Sequence, residues 1–140
     1  MLVDDALRAV AVVGGFEGPI VDVGSGGGSP GIPLASALPE REVTLLEAER
    51  RKCDFLEDWA PPNARVVWGR AEEQSVDTYG VALAKALAQP ATAVEWCLPL
   101  VRPGGAEPEE RDGLVVVRKL VPTPPGFPRR VGVAKKRPLA

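Results

Sequence analysis

The chain of 140 residues contains no histidine. This absence excludes catalysis by Ser-His-Asp or Cys-His groups, and it excludes zinc sites that depend on imidazole ligands. Any chemistry must therefore come from carboxylates, Lys and Arg side chains, hydroxyls, backbone amides or the reactivity of the substrates themselves. We predict no metal site.

Cysteines, aromatic residues and long apolar runs are also scarce. The two cysteines, Cys53 and Cys97, have no motif spacing around them, which is typical of free thiols in a reducing cytoplasm. No apolar run approaches the ~20 residues that span a membrane, and no basic segment of a secretory leader precedes the first apolar stretch. We expect a cytoplasmic protein without membrane contact. Aromatic residues make up 5% of the chain, and we expect Trp59 and Trp68 to pack internally rather than to stack on bases.

Charge is unevenly distributed, although the net charge is only −2. Residues 1–100 hold eight Lys or Arg against fifteen Asp or Glu, a balance of −7, whereas residues 101–140 hold nine against four, a balance of +5. Such an asymmetry indicates either an end that faces a polyanion or a solvated terminal segment.

Short apolar runs alternate with helix-like segments along the chain. This order predicts an α/β protein with a mostly parallel, doubly wound sheet, and we expect one domain over residues 1–140. Two late β-branched runs predict a C-terminal antiparallel hairpin, and a charged surface loop is predicted over residues 106–112. The predicted strands are 19–23, 43–47, 65–68, 79–84, 114–121 and 130–134, and the predicted helices are 1–16, 31–38, 48–60 and 91–101.

The densest glycine cluster follows the first predicted strand. Four of the five residues 24–28 are Gly, and a helix is predicted to begin near Pro30. A strand, a Gly-rich turn and a helix N-terminus form a nucleotide-binding corner. Gly26, Gly28 and Gly31 satisfy the dinucleotide pattern, with Glu47 near the offset expected of an acid that binds ribose.

Asp22 distinguishes between two ligands for this corner. A carboxylate two residues before Gly24 would repel the pyrophosphate of NAD. It would attract the ammonium and the sulfonium of S-adenosylmethionine, which are both positively charged. Asp22 therefore favours S-adenosylmethionine, and Glu47 is expected to accept hydrogen bonds from ribose hydroxyls in both cases. Two other interpretations stay open at this point: glycines that serve only a tight turn, and a small NAD-dependent oxidoreductase.

The stretch from Asp22 to Leu34, Asp-Val-Gly-Ser-Gly-Gly-Gly-Ser-Pro-Gly-Ile-Pro-Leu, closely resembles the glucose-inhibited division protein B family. Further similar segments follow in order from about Pro19 to the C-terminus. They are 43–47 with Arg51-Lys52 and Phe55-Leu56, then Gly-Arg-Ala-Glu-Glu at 69–73, and finally 123–130 with 135–139. The family consists of methyltransferases that modify N7 of a guanine in small-subunit ribosomal RNA.

The resemblance implies a Rossmann-like class I methyltransferase fold that takes S-adenosyl-L-methionine and acts on ribosomal RNA or the small ribosomal subunit. It also implies a role for each matching residue, with Lys85 positioning the substrate and the basic C-terminal residues contacting RNA. The implied cofactor-binding residues are Asp22, Gly24, Ser25, Gly26, Gly28, Glu47, Ala71 and Glu72, and the implied RNA-binding residues are Arg129, Arg130, Lys135, Lys136 and Arg137.

The chain departs from the family's pattern in several places. Only eighteen residues precede Pro19, where the family has a helical extension of several dozen residues. Lys85 stands where the family has Arg, Ser29 replaces an aromatic residue, and an acidic loop follows Gly105 where the family continues into a strand. These departures indicate a shortened, divergent member. They leave open the alternative of a non-catalytic relative that binds cofactor or RNA, and exposed apolar surface would favour a homodimer.

Overall fold

Four parallel strands form the central sheet of the protein. The computed structural model describes residues 2–104, 109–111, 114–117, 119–137 and 139. The helices and strands in chain order are α1 (Leu2–Val13), β1 (Ile20–Val23), α2 (Gly31–Ala37), β2 (Val43–Glu47), α3 (Arg50–Trp59), β3 (Ala64–Trp68), β4 (Val81–Leu83), α4 (Pro90–Cys97), β5 (Glu109–Arg111), β6 (Leu114–Val116) and α5 (Val133–Lys136). Short 3₁₀ turns occupy Ala71–Glu73 and Leu98–Leu100.

The strand order in the sheet is β3-β2-β1-β4, and every neighbouring pair is parallel. Ile20 of β1 pairs with Val43 of β2 on one side and with Val81 of β4 on the other. Because parallel strands end at the same edge of a sheet, the residues that follow β1, β2 and β4 come together there. The predicted parallel sheet is therefore confirmed.

Burial explains why β1 and β2 occupy the middle of the sheet. Every residue of both strands is buried, and both sequences are almost continuously apolar. Strands that are covered on both faces need such sequences, because neither face reaches water. The helices accordingly lie on both sides of the sheet.

Two apolar clusters cover the two faces of the sheet. The first joins α1 and α2 to the sheet and includes Val13, Ile20, Leu34 and Leu45. The second contains Val21, Val23, Leu46, Tyr79 and Leu100, with Trp96 and Cys97 of α4 packed against it.

Two side chains tie the turns around β1 and β2 to one another. The guanidinium of Arg41 donates hydrogen bonds to the main-chain oxygens of Phe16 and Gly18. The amide nitrogen of Asn63 donates to the main-chain oxygens of Ala35, Leu38 and Arg41, which satisfies carbonyls at the end of α2.

The C-terminal third differs from the sequence prediction. The predicted strand at 130–134 is wrong, because Val131 and Gly132 form a turn and α5 begins at Val133. The predicted pairing of 114–121 with 130–134 is consequently absent. Instead Leu114–Val116 pairs antiparallel with Glu109–Arg111, in a two-stranded sheet separate from the central one.

The predicted charged loop at 106–112 is therefore partly strand. Residues 106–108 and 112 of that prediction lie outside the described residues. Within the part of the chain that the structure describes, no helix is long and apolar enough to cross a membrane.

Candidate functional site

The glycine loop leaves β1 at the carboxyl edge of the sheet and returns into α2. Gly24 has a φ of +72° and its N–H donates to the main-chain oxygen of Leu46, 2.8 Å away. A Cβ at Gly24 would lie 2.3 Å from Cδ1 of Leu87. The positive φ therefore favours glycine at position 24, and a side chain there would also have to push the end of Leu87 aside. Ser25 is buried, and its hydroxyl donates to the main-chain oxygen of Asp22 at 2.9 Å.

Asp22 lies beneath this loop. Its carboxylate is 1% exposed and accepts a hydrogen bond from the N–H of Gly31 at 3.1 Å. Burial raises the pKa of Asp22 to about 6, and the nearby Glu47 adds to this rise, while hydrogen bonds with Ser25 and Gly31 oppose it. The Asp22 carboxylate thus anchors the first residue of α2, and Asp22 is not among the residues that line the cavity above the loop.

Glu47 holds the loop from the opposite side. One carboxylate oxygen accepts a hydrogen bond from the N–H of Gly26 at 2.9 Å, and the other accepts one from the N–H of Glu49 at 2.9 Å. Glu47 is only 8% exposed, yet it lines the cavity. A carboxylate oxygen can accept more than one hydrogen bond, so Glu47 retains acceptor capacity toward the cavity.

A cavity of about 590 Å³ opens above the loop, at the carboxyl edge of the sheet. This volume lies within the usual range of small-molecule sites. Among the residues that line it, the hydroxyl of Ser29 and the indole N–H of Trp96 are buried, and neither has a hydrogen-bond partner in the described structure. Leu87 and Trp96 were not predicted as site residues. Their place becomes evident only when the segment after β4 packs over the loop.

Three further predicted residues lie in the same cavity. Ala71 is 5% exposed and lines one wall together with Glu72. Lys85 is half-buried and lines both this cavity and a second groove beside β4. The structure thus brings the glycine loop, Glu47, Ala71, Glu72 and Lys85 together, and it places Asp22 one layer below them.

The predicted residues of the glycine loop differ in position. The cavity wall includes Gly24, Ser25 and Gly26. A Cβ at Gly28 would instead meet Ile32 and Leu56.

The predicted basic tail passes close to this cavity. The main-chain N–H of Gly132 donates to a carboxylate oxygen of Glu72 at 3.3 Å. Four of the five predicted basic residues are exposed, namely Arg130, Lys135, Lys136 and Arg137.

Arg129 differs from the other basic residues of the tail. Its guanidinium forms a two-pronged ion pair with the carboxylate of Glu95, which is 6% exposed, and donates to the main-chain oxygen of Arg137. The hydrogen bond from Arg129 to Glu95 raises the pKa of Arg129. Arg129 therefore attaches the tail to α4.

The expectation that Trp59 and Trp68 pack internally is wrong. Their exposed fractions are 65% and 61%, and Phe55 beside Trp59 is 48% exposed. The guanidinium of Arg50 lies 5.2 Å from the ring centroid of Trp68, and the indole N–H of Trp68 donates to the main-chain oxygen of Ala48. These aromatic side chains cover outer parts of α3 and β3.

Neither cysteine has the properties of a nucleophile. Burial raises the pKa of Cys97 to about 12 and also raises that of Cys53. Both are free thiols. The described residues contain no group of three or more Cys, Asp or Glu side chains that could hold a metal ion.

Comparison with known proteins places these features in context. The family model described as "GidB: rRNA small subunit methyltransferase G" matches residues 2–107. A protein named ribosomal RNA small subunit methyltransferase G from Roseiflexus castenholzii is 34% identical, over 96% of this chain and 76% of that protein. A protein of the same name from Symbiobacterium thermophilum is 33% identical, over 96% of this chain and 76% of that protein.

The alignment with the Roseiflexus protein is longer than the part of this chain that it covers. The alignment with the Roseiflexus protein runs over 179 positions, whereas 96% of a 140-residue chain is about 134 residues. About 45 positions therefore have no residue in this chain, which is the difference between those two lengths. The relatives carry additional residues inside the region that they share with this chain.

Solved structures support the fold. A putative sarcosine dimethylglycine methyltransferase from Galdieria sulphuraria superposes with a TM-score of 0.57 and 15% identity, over 71% of this chain and 42% of that chain. Likeness at this identity shows a class I methyltransferase fold. The present chain spans less than half the length of that structure.

Proposed function

This chain belongs to the GidB family, rRNA small subunit methyltransferase G, and on that premise we propose that it uses S-adenosyl-L-methionine to methylate N7 of a guanine in small-subunit ribosomal RNA. One observation carries the proposal. The glycine loop and Glu47 share a cavity of about 590 Å³ at the carboxyl edge of a parallel sheet. This edge is where open α/β sheets bind nucleotide-like ligands.

The residues of the cavity fit the proposed cofactor. A Cβ at Gly27 would meet no atom within 4 Å, so the loop backbone is open to a ligand. In the proposed arrangement Gly24, Ser25 and Gly26 contact the amino-acid part, and Glu47 accepts hydrogen bonds from the ribose. Ala71 and Glu72 border the adenine, and Asp22 and Gly28 shape the loop from beneath.

The proposed reaction requires little from the protein beyond positioning the two reactants. S-adenosylmethionine supplies a methyl group already activated by its sulfonium. Guanine N7 has an exposed lone pair and no proton to lose, so no general base is required, and the absence of histidine is compatible with transfer. The protein must hold the two reactants in line, which is a proximity effect. Lys85, at the end of β4 and in the cavity wall, is the proposed residue for orienting the guanine or its phosphate.

RNA would approach along the C-terminal tail. Arg130, Lys135, Lys136 and Arg137 are exposed, and the tail is attached next to the cavity through Glu72. Contacts with phosphates supply much of the affinity of proteins for nucleic acids, so these four side chains are the proposed phosphate contacts. Arg129 supports them indirectly, because its pair with Glu95 fixes the tail on α4.

The decisive experiment is a calorimetric titration with S-adenosylhomocysteine, with NAD titrated in parallel. We expect binding of S-adenosylhomocysteine alone, weakened about tenfold in Glu47→Gln, the effect of losing one charged hydrogen-bond acceptor. Glu57→Gln, an exposed change on α3, is the matched control and should bind as the unmodified chain does. Equal affinity of the Glu47 and Glu57 variants would contradict the assignment of the ribose contact.

Transfer itself is tested on small ribosomal subunits that lack the modification. The expected product is 7-methylguanine in the RNA, detected by mass spectrometry of the nucleosides. The second candidate is a relative that binds cofactor or RNA without catalysis, and it is favoured by the total of about 45 alignment positions that have no residue in this chain. Cofactor binding without 7-methylguanine would support that candidate and exclude the first.

Two further proposals concern the state of the protein. We propose a homodimer, because apolar residues of the C-terminal third, such as Leu120 and Val121, are 62% and 64% exposed. We also propose a cytoplasmic location, because both cysteines are free and the proposed RNA substrate is intracellular.

A further inference from the structure

The exposed aromatic side chains of the described structure all belong to α3 and β3, and they differ in position. Trp68 is 61% exposed, while Phe55 and Trp59 are 48% and 65% exposed. Trp68 ends β3 at the carboxyl edge of the sheet, whereas Trp59 ends α3 shortly before β3 begins. Four residue steps of about 3.3 Å separate the two ends of β3 by about 13 Å. Trp68 therefore lies at the cavity end of the sheet, and Trp59 lies at the opposite end.

Two contacts hold the ring of Trp68 in one orientation. Its indole N–H donates to the main-chain oxygen of Ala48 at 3.0 Å, and the guanidinium of Arg50 lies 5.2 Å from the ring centroid. This distance is within the range of a cation–π interaction. A ring that is already ordered loses little conformational entropy when a ligand binds to it. Trp68 therefore combines a fixed orientation with a large exposed area.

The position of Trp68 is the rim of the cavity. Gly69, which follows Trp68 directly, lines the cavity, and so does Ala48, which accepts the indole hydrogen bond. Trp68 itself is not among the residues that line the cavity. A ligand in the cavity would thus lie beside Trp68 without depending on contact with its ring.

Cationic side chains surround the ring. Lys52 and Arg70 are exposed and line the cavity, and the guanidinium of Arg50 lies over the ring. Arg50 pairs with Asp54, and Lys52 pairs with Glu49. Both pairs are exposed, and exposed pairs contribute little to stability, so these cations can exchange a carboxylate for a phosphate at small cost. An aromatic ring among cations is complementary to a nucleotide, whose base can stack and whose phosphate is negative.

The basic tail is attached on the same side of the cavity. The main-chain N–H of Gly132 donates to the carboxylate of Glu72, which follows Trp68 closely in the chain. Gly69, Arg70 and Glu72 all line the cavity. The ring and the tail therefore border the same wall of the cavity, and a single strand of RNA can contact both.

We propose that Trp68 stacks on an unpaired base that neighbours the target guanine in the RNA strand. A base that leaves its stack to enter a cavity also leaves a neighbouring base partly unstacked, and an aromatic side chain can replace the lost stacking. This contact rests on the proposed function, since it requires an RNA substrate, and it adds a substrate-binding residue outside the cavity.

Filter-binding titrations with small ribosomal subunits that lack the modification test the contact. Trp68→Leu keeps an apolar side chain without a ring and should weaken binding about tenfold, which is within the range for one base stacked on an aromatic side chain. Trp68→Phe keeps a ring and should retain most of the affinity. Trp59→Leu is the matched control, because Trp59 is similarly exposed at the opposite end of the sheet, and it should bind as the unmodified chain does. Equal losses in the two Trp68 variants, or no loss in Trp68→Leu, overturn the proposal.

The salt dependence and the partner are examined with the same variants. Stacking releases no counterions, so Trp68→Leu should leave the slope of log affinity against log salt unchanged. The loss of affinity should recur with protein-free small-subunit ribosomal RNA. A changed slope, or a loss confined to intact subunits, overturns the proposal, because the first indicates a contact with phosphate and the second a contact with a ribosomal protein.

Calorimetric titration with S-adenosylhomocysteine distinguishes this contact from the proposed function. Trp68 does not line the cavity, so Trp68→Leu should bind S-adenosylhomocysteine as the unmodified chain does. A parallel loss of this affinity would show that Trp68 acts on the cavity wall through Ala48, and would overturn the proposal. An unmodified chain that binds S-adenosylhomocysteine but neither subunits nor RNA overturns the RNA substrate and this contact together.

Discussion

Replacing Asp22 with Asn should change how stability depends on pH. Burial raises the pKa of Asp22 from its ordinary value of 3.8 to about 6. The folded protein therefore holds a proton that the unfolded chain releases between these values, and the free energy of unfolding falls as the pH rises through this window. At about 1.4 kcal/mol per pH unit, the loss in the unmodified protein reaches about 3 kcal/mol at pH 7.

The Asp22→Asn change would remove this loss and keep the contact with α2, because the oxygen of the new amide can accept the hydrogen bond from Gly31. The variant should be about 3 kcal/mol more stable than the unmodified chain at pH 7 and nearly equal to it below pH 3.8. Urea unfolding followed by circular dichroism at several pH values measures the difference. A constant difference from pH 3.5 to 7 would show that Asp22 is not a buried group with a raised pKa, and would refute the reasoning.

Three other outcomes are expected. Gly24→Ala should lower the free energy of unfolding by about 1–2 kcal/mol, because it places a side chain at a φ of +72° and against Leu87. Thermal unfolding of the two proteins measures this difference. Lys119 lowers the pKa of Asp77, so the ionised Asp77 stabilises the fold above pH 3.8, and this stabilisation is lost as the pH falls. Lys119→Met should therefore show a smaller acid-induced loss of stability, measured by urea unfolding at several pH values. Lys136→Ala should reduce the slope of log RNA affinity against log salt by about 0.7, the value for one phosphate contact on a single strand, in filter-binding titrations.

The central sheet was predictable because its strands are local and continuous in sequence. Val43–Glu47 has the predicted bounds, since an apolar run with a carboxylate at its end matches a strand covered on both faces. The loop after β1 was predictable for a similar reason. Glycines at 24, 26 and 28 all have positive φ, and few other residues adopt that conformation at low cost.

The errors arise where distant contacts decide the structure. Val131 and Val133 suggest a strand, but segment 130–134 pairs with no strand among the described residues, and Gly132 with a φ of +80° precedes α5 instead. Leu87 enters the cavity because the segment after β4 folds over Gly24, a contact across 63 positions of the sequence that no local pattern records. The exposure of Trp68 follows from the position of β3 at the edge of the sheet.

The two carboxylates that identified the glycine loop have different physical roles. From the sequence, Asp22 was interpreted as complementary to a cationic ligand, yet its carboxylate faces the N–H of Gly31 under the loop. Glu47 faces the cavity and also holds Gly26. Both residues therefore hold the loop, and of the two Glu47 lines the cavity. An Ala variant of either would lower cofactor affinity, so loss of affinity alone does not identify a ligand contact. Asp22→Asn is expected to keep both the loop and the cofactor affinity, because its amide oxygen can still accept the hydrogen bond from Gly31. Glu47→Gln loses one of the two oxygens that hold the N–H groups of Gly26 and Glu49, so its effect on affinity combines the loop with the proposed ribose contact.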